Sequence, residues 1–143
     1  YLPGEIIAAF LWAQMEEADA ITARRLDIWT RYHDSFADLE RTGDIRRPTI
    51  PGDCTNIAHM YQLLLPDLER RTAFIDRLKA KATQSVFHYI PLHSSPFGRS
   101  VGRSVGDMSN TDAASDRLVR LPMWLGLEDH LPAVIAEVIA AAR

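Results

Sequence analysis

The stretch "NIAHMYQLLLPDLERRTAFIDRLKA" (residues 56–80) joins a strand pattern directly to a helix pattern. In its first part every second residue falls on one face, which predicts a strand over residues 56–66. Asp67 is suited to cap a helix, and the spacing of the apolar residues after it predicts that helix over residues 68–82. A strand followed at once by an amphipathic helix indicates a sheet with helices packed against it. The strand face comprises Ile57, His59, Tyr61 and Leu63, and the inward helix face comprises Leu68, Phe74, Ile75 and Leu78.

The same two patterns recur towards the C-terminus. "QSVFHYI" (84–90) predicts a second strand, and "VRLPMWL" (119–125) predicts a third, which Pro122 places at a sheet edge. A short helix capped by Thr111 and a last helix over residues 129–142 complete the pattern. This order predicts an α+β fold, in which helices pack against one face of a small, mostly antiparallel sheet of about three strands.

A long helix is predicted ahead of the sheet, over residues 3–39. Its apolar side chains mostly recur every three or four residues, which is the period of one helix face. Ile6, Phe10 and Trp12 add apolar surface outside that stripe, so the helix is expected to be covered on more than one side. A small domain cannot easily cover both sides, and we therefore expect a partner surface. The stripe comprises Ile7, Leu11, Met15, Ala18, Ile21, Ile28, Trp29, Tyr32, Phe36 and Leu39.

The composition is typical of a globular protein. The chain has 143 residues, of which 47% are hydrophobic and 24% charged, and it is expected to form one domain. A net charge of -3 does not provide the basic field that nucleic-acid binding needs, and no segment reaches the ~18 apolar residues of a membrane span. Cys54 is the only cysteine, so no internal disulfide can form and a cytoplasmic setting is expected. Because the chain starts at Tyr1 rather than at methionine, we expect a fragment or a processed product.

The segment "VFHYIPLHSSP" (86–96) carries the candidate site. His88 and Tyr89 lie on the predicted strand, and His93 follows Pro91, just past the end of the strand, where binding residues often lie. Two imidazoles and a phenol can donate and accept hydrogen bonds to a sugar or a phosphate. The alternative is that Tyr89 is a core residue and both histidines merely face solvent.

Two further site types have weaker support. Residues 94–110 are predicted as a long loop containing the repeat "GRSVGRSV" (98–105), whose backbone N–H groups and two guanidinium groups could cradle a phosphate. Its spacing matches neither common phosphate-binding motif, and a flexible surface loop explains it as well. His59, His88 and His93 lack the spacing of a zinc site, so no metal site is predicted.

Only two lysines occur, Lys79 and Lys81, near the end of a predicted amphipathic helix. A lysine that forms a Schiff base needs a desolvated amine in a shaped pocket. Nothing in the neighbouring sequence provides one. No catalytic residue is therefore predicted within this chain.

Four stretches, taken together and in order, resemble the C-terminal part of sugar-nucleotide aminotransferases of the DegT/DnrJ/StrS type. The resemblance implies a pyridoxal-phosphate (PLP) enzyme of the aspartate-aminotransferase fold (fold type I), which moves an amino group from glutamate to a keto sugar carried on a nucleotide. The Tyr-Leu-Pro start is similar to a subgroup that acts on dTDP-4-keto-6-deoxy sugars. The stretches are "YLPGEIIAAFLWAQMEEAD" (1–19), "NIAHMYQLLL" (56–65), "VFHYIPLHSSP" (86–96) and "SDRLVRLPMW" (115–124).

The resemblance also implies a place for the chain in a larger enzyme. Residues 1–143 correspond to the small C-terminal domain, including the linking helix 3–39, without the N-terminal domain that carries the coenzyme lysine. Enzymes of this family are homodimers with active sites at the subunit interface, which supplies a partner for the apolar first helix. The fragment alone is expected to be inactive.

The resemblance assigns roles to four residues. Tyr1 matches an aromatic residue in a segment that reaches the cofactor phosphate of a neighbouring subunit, and Leu2 replaces the arginine found there in most of the family. His88, Tyr89 and His93 match the segment facing the sugar nucleotide, which they would bind and orient without transferring protons. A different class of function also accounts for the sequence, a stand-alone α+β module that binds a protein partner through its first helix.

Overall fold

Residues 2–143, which this computed structural model describes, form a three-stranded antiparallel sheet with helices packed on one face. The predicted α+β fold class is confirmed. Within these residues, no helix combines the length and the apolar character that crossing a bilayer requires. The helices are α1 (Glu5–Glu16), α2 (Ala18–Ser35), α3 (Ala37–Thr42), α4 (Leu68–Ala80), α5 (Pro96–Val101), α6 (Ser109–Arg117) and α7 (Leu131–Ala142), and the strands are β1 (Tyr61–Leu64), β2 (Val86–Phe87) and β3 (Leu118–Leu121).

The last strand in the sequence, β3, is the central strand of the sheet. The spatial order is β1-β3-β2, with Tyr61 opposite Leu121 and Val86 opposite Arg120. The prediction that this strand lies at an edge because of Pro122 is therefore wrong. The strand ends at Leu121, so the ladder never needs the N–H that proline lacks, and the Pro122 carbonyl accepts a hydrogen bond from the Tyr32 hydroxyl at 3.1 Å.

Burial alternates along β1 and β3, which defines a core face and an outer face of the sheet. On the core face α2, α4 and α7 cover the strands, and each fully buried large apolar side chain there contributes roughly 1.5–3 kcal/mol relative to exposure. The core face carries Tyr61, Leu63, Val119 and Leu121, packed against Ile28, Tyr32, Phe36, Phe74, Leu78, Leu131, Val134 and Val138. The outer face carries Gln62, Leu64, Leu118 and Arg120, all partly exposed.

The long helix predicted over residues 3–39 is interrupted at Glu17 and at Phe36. The first interruption separates α1, which buries no side chain, from α2, which packs on the sheet. The second accompanies the burial of Phe36 and Leu39 in the core. The predicted apolar stripe therefore faces the core only in α2 and α3, and its first part, on α1, is exposed.

The strand predicted over residues 56–66 forms only at Tyr61–Leu64. Ala58 adopts a left-handed backbone conformation, φ 50°, that no strand residue can hold. Its N–H donates to the Asn56 side-chain oxygen at 2.9 Å, which fixes a turn there. Ile57 and His59, predicted to share one strand face with Tyr61 and Leu63, are exposed, and Ala58 between them is buried.

The strand predicted over residues 84–90 is shorter still, at Val86–Phe87. Phe87 lies opposite Val119, and the next partner in the ladder is Leu118, which directly follows helix α6. His88 does not pair with Leu118, so the predicted strand reaches neither His88 nor Tyr89.

The region predicted as a loop, residues 94–110, contains helix α5. The first GRSV repeat (98–101) lies within this helix, and the second (102–105) is not helical. The Ser95 hydroxyl caps the helix by accepting from the Gly98 N–H at 3.0 Å.

Three helix ends also differ from the predictions. The next helix, α6, starts at Ser109 rather than after Thr111, since the Asp107 carboxylate accepts from the Ser109 N–H at 2.9 Å. The Asp67 cap of α4 is confirmed, with the Arg70 N–H donating to it at 2.8 Å. Helix α4 ends at Ala80, and α7 begins at Leu131 after a 3₁₀ turn.

Candidate functional site

The chain after β2 places His88 and Tyr89 at the mouth of an open cavity of about 560 Å³. Their ring centroids lie 5.0 Å apart, and the tyrosine is 75% exposed. The alternative in which Tyr89 is a core residue is therefore wrong. Helix α6 forms the opposite wall, and its Ser115 hydroxyl donates to the Tyr89 carbonyl at 3.3 Å, which ties the segment to the helix.

His93 lines a neighbouring cavity of about 740 Å³. Its Nε2 lies 2.9 Å from Oδ1 of Asp112 on α6, and the imidazole is mostly buried. This contact orients the ring and leaves Nδ1 as the nitrogen free to meet a ligand. Pro91 and Leu92 line both cavities and separate them. His88 and Tyr89 therefore face one cavity and His93 faces the other.

The walls of the second cavity are mainly apolar and open to solvent. Phe97, Val101 and Val105 are all exposed, and Leu92 on the shared wall is 82% exposed. Exposed apolar surface of this kind, next to polar groups that can orient a ligand, is typical of a binding region.

Sequence reasoning missed two residues of this region, Asp112 and Arg120. Asp112 follows the predicted loop, and its contact with His93 depends on the true start of α6 at Ser109. Arg120 was visible only as a charged residue within a predicted strand. Its guanidinium lies over the Tyr89 ring, 5.9 Å from the centroid, a geometry that the β3–β2 register creates.

The sequence analysis also made one prediction about a cofactor contact and one about metal ligands. Tyr1, predicted to contact the cofactor phosphate, lies outside the described residues. Within residues 2–143, no three His, Cys, Asp or Glu side chains come together as metal ligands, and His59, His88 and His93 form no such group.

A separate cavity of about 640 Å³ lies beside α2 and the 47–56 connector, but the two charged residues that line it, Glu40 and Arg47, already bind each other. Arg47 Nε donates to Glu40 at 2.8 Å, and Arg47 Nη1 donates to the His33 carbonyl at 2.5 Å. Partial burial opposes ionisation of Glu40, but hydrogen bonds from the Arg47 backbone and side chain lower its pKa overall. This cavity is therefore a structural junction between α2, α3 and the connector.

The His33 imidazole stacks on Trp29 with ring centroids 4.6 Å apart, and its Nδ1 lies 3.4 Å from the Tyr61 hydroxyl. Burial and the nearby Arg47 charge lower the pKa of His33. Burial raises the pKa of Tyr61, which keeps the phenol protonated and able to donate to a neutral imidazole.

Neither lysine fits covalent binding of a coenzyme. Lys79 and Lys81 are exposed at the C-terminal end of α4, and neither lines any of the cavities described above. A coenzyme amine needs a shaped, desolvated pocket. Neither of these two lysines therefore lies in a pocket of the kind that covalent attachment of PLP requires.

Residues 4–140 match the DegT/DnrJ/EryC1/StrS aminotransferase family. The chain belongs to this family. Among related proteins, the uncharacterized protein MJ1066 of Methanocaldococcus jannaschii is 32% identical over 121 residues, which cover 81% of this chain and 30% of the relative. The family match over residues 4–140 includes His88 and His93, so the candidate site lies within the family domain.

Solved aminotransferase structures share the fold. DesV of S. venezuelae superposes with a TM-score of 0.83 at 23% identity, covering 95% of this chain and 36% of DesV. Spr1654 of Streptococcus pneumoniae, described in PLP and PMP forms, gives a TM-score of 0.75 at 22% identity and covers 92% of this chain and 33% of its own. The chain therefore spans about a third of the length of the relatives it matches.

Proposed function

We propose that this chain is the C-terminal domain of a PLP-dependent aminotransferase that moves an amino group from glutamate to a dTDP-4-keto-6-deoxy sugar, as in the dTDP-4-amino-4,6-dideoxygalactose transaminase subgroup. One observation carries the proposal: within a domain of this family, His88, Tyr89 and His93 border open cavities that no lysine lines. The chain thus provides a substrate wall, and the coenzyme lysine belongs to another part of the polypeptide.

The binding residues have distinct tasks. His88 and Tyr89 donate and accept hydrogen bonds to sugar hydroxyls, and His93, held by Asp112, presents Nδ1 in a fixed direction. A polar group that is already oriented binds at a lower entropic cost. The coenzyme, when bound in the longer protein, supplies the electron sink that amino-group transfer requires.

The exposed helix α1 supports the partner part of the proposal. Phe10 and Trp12 are 69% and 67% exposed, although such large apolar side chains are normally covered. In this proposal the upstream polypeptide and a second subunit of a cytoplasmic homodimer cover this surface, and the role proposed for Tyr1 is contact with the cofactor phosphate of the neighbouring subunit. The fact that the chain covers only about a third of its relatives supports this arrangement.

The test replaces His93 by Ala in the polypeptide that includes the upstream reading frame. We expect the KM for the dTDP-keto sugar to rise about tenfold, since one hydrogen bond to the substrate is lost, with little change in the KM for glutamate. His59→Ala is the matched control, because that side chain is exposed and lines no cavity described here. Equal increases in both KM values contradict the proposed role of His93.

The unburied α1 also fits the second candidate, a stand-alone module that binds a protein partner through this helix. The upstream DNA separates the two candidates. A reading frame that continues into a large domain with a coenzyme lysine excludes the module, and a start codon close to Tyr1 excludes the enzyme domain.

A further inference from the structure

We propose that Asp112 holds the His93 imidazole in the tautomer with its proton on Nε2, so that Nδ1 accepts a hydrogen bond from the ligand. The ligand group at Nδ1 is then a donor, such as a sugar hydroxyl or the N–H of a nucleobase, and not a phosphate or carboxylate oxygen. The inference rests on the proposed function and adds to it the chemical class of the group that His93 selects.

The contact between His93 and Asp112 determines which ring nitrogen carries the proton. Nε2 of His93 lies 2.9 Å from Oδ1 of Asp112. An ionised carboxylate accepts hydrogen bonds but donates none, so the single N–H of a neutral imidazole must lie on Nε2 to satisfy this contact. Nδ1 is then left with a lone pair and can only accept.

The other ring nitrogen of His93 is within reach of a ligand. Nδ1 has no hydrogen-bond partner within residues 2–143, yet it is not one of the side-chain nitrogens that are sealed from solvent there, as Nδ1 of His88 is. The His93 side chain is 19% exposed and lines the cavity of about 740 Å³. A ligand in that cavity can therefore meet Nδ1, while Nε2 is occupied by α6.

Asp112 acts through His93 and does not line the same cavity. Its carboxylate borders a separate cavity of about 530 Å³, together with Arg71 and Asp116. Among the described residues, no acidic side chain lines the cavity of His93, so no carboxylate there competes for a donor group of the ligand. Asp112 is therefore a positioning residue for His93.

The surroundings of His93 make the direction of this hydrogen bond selective. Leu92, Phe97, Val101 and Val105 line the cavity with apolar surface. A hydrogen bond is electrostatically stronger in such surroundings than in water, and an acceptor left there without a donor is unfavourable. A ligand group that only accepts is therefore disfavoured at Nδ1, and a group that donates is preferred.

Two parts of a dTDP-keto sugar carry donors of this kind, the hydroxyls of the sugar and the N3–H of the thymine base. Three probes distinguish these sources. The first is dTDP itself, the second is dTDP methylated at N3, which lacks the donor of the base, and the third is dTDP-galactose, which adds sugar hydroxyls.

The first measurement locates the proton. It is ¹⁵N NMR of the histidine-labelled polypeptide that includes the upstream reading frame, with PLP bound, at pH 8, where histidine side chains are ordinarily neutral. The His93 signals are identified by their loss in His93→Gln. We expect a protonated Nε2 and an unprotonated Nδ1. A protonated Nδ1, in the other tautomer or in the imidazolium form, overturns the proposal.

Calorimetry of the same polypeptide then measures binding of the three probes. We expect the wild type to bind the probe without the relevant donor about 3- to 10-fold more weakly, as is typical of one hydrogen bond. The weaker probe is N3-methyl-dTDP compared with dTDP if the base is the source, and dTDP compared with dTDP-galactose if the sugar is. This difference should fall below about twofold in Asp112→Ala and be largely retained in Asp112→Asn, whose amide oxygen can still accept from Nε2.

Asp116→Ala is the matched control, because Asp116 lies one turn further along α6, is exposed and makes no hydrogen bond to His93. The proposal is overturned if neither pair of probes differs in the wild type, or if the difference persists in Asp112→Ala as it does in the control. The NMR measurement on the wild type decides the matter if Asp112→Ala does not fold. Failure of the proposed function is recognised separately: the wild-type enzyme then shows no amino transfer from glutamate to any dTDP-keto sugar, whereas the position of the His93 proton does not depend on that activity.

Discussion

At the residue scale, two alanines hold left-handed backbone conformations that favour glycine, Ala58 at φ 50° and Ala82 at φ 60°. Ala58 precedes β1 and Ala82 follows α4, and both elements are shorter than the sequence predicted. Nothing in the sequence marks either alanine as a turn residue, so the apolar periodicity predicts that the strand or the helix continues past it. The cap residue Asp67, in contrast, was predictable because its side chain performs the capping.

Ala82→Gly should stabilise the protein by up to about 1 kcal/mol. Relief of the left-handed strain, about 1–2 kcal/mol, outweighs the added freedom of glycine in the unfolded chain. Ala136→Gly is the matched control on the exposed face of α7, and should cost about 0.5–1 kcal/mol. Urea denaturation of both variants measures the change in the free energy of unfolding, which should be positive for Ala82→Gly and negative for Ala136→Gly. A loss of stability in Ala82→Gly is inconsistent with relief of strain.

At the element scale, local periodicity predicted the packed helices α2, α4 and α7 but not the lengths of the strands. Strand length depends on pairing: β2 stops at Phe87 although the next residue of β3, Leu118, pairs with Leu64 of β1, and no local pattern contains this limit. Helix α5 was missed for a similar reason. The sequence GRSV is helical at residues 98–101 and non-helical at residues 102–105, so its conformation depends on the neighbouring residues and not on the four residues themselves. The strand predicted for His88 and Tyr89 stops before them, and the contacts of Tyr89 and His93 with α6 were not predicted.

The α5 turn depends on Gly98, since a Cβ there would lie 1.7 Å from the Leu92 carbonyl oxygen. Gly98→Ala should therefore open this turn, at a cost of about 1–3 kcal/mol. Hydrogen exchange should show the Arg99 and Gly102 amides, which donate to the Ser95 and Gly98 carbonyls, exchanging at least about tenfold faster. Gly52→Ala is the control, because nothing lies within 4 Å of its added Cβ. Unchanged protection in Gly98→Ala argues against this packing.

The contact of α2 with β1 through His33 and Tyr61 makes stability depend on pH. Burial and the Arg47 charge hold the pKa of His33 below its ordinary 6.5, so the unfolded chain binds a proton more readily than the folded protein. Stability is therefore full above pH 6.5 and falls as the pH decreases from there towards the folded-state pKa. His33→Gln should reduce this slope when the melting temperature is followed between about pH 5 and 7.5. If the melting temperature of the variant depends on pH as steeply as that of the wild type, titratable groups other than His33 cause the dependence.

At the scale of the whole molecule, residues 2–143 form a complete core on one side of the sheet and leave other surfaces uncovered. The uncovered surfaces are α1, the segment from Tyr89 to Val105 and the outer face of β3. Composition predicted a globular domain, and the resemblance predicted the family, which the match over residues 4–140 confirms. Periodicity within this chain does not predict which of these surfaces contacts protein and which contacts a ligand, because the contacting groups lie outside the chain.

The most direct test locates the coenzyme. The polypeptide carrying this chain and its upstream reading frame is saturated with PLP, reduced with borohydride, digested and mapped by mass spectrometry. We predict one label per subunit, on a lysine outside residues 1–143, and unchanged labelling when Lys79 and Lys81 are both replaced by Arg. A stoichiometric label on Lys79 or Lys81 would contradict the proposal that this chain shapes the substrate cavity without holding the coenzyme.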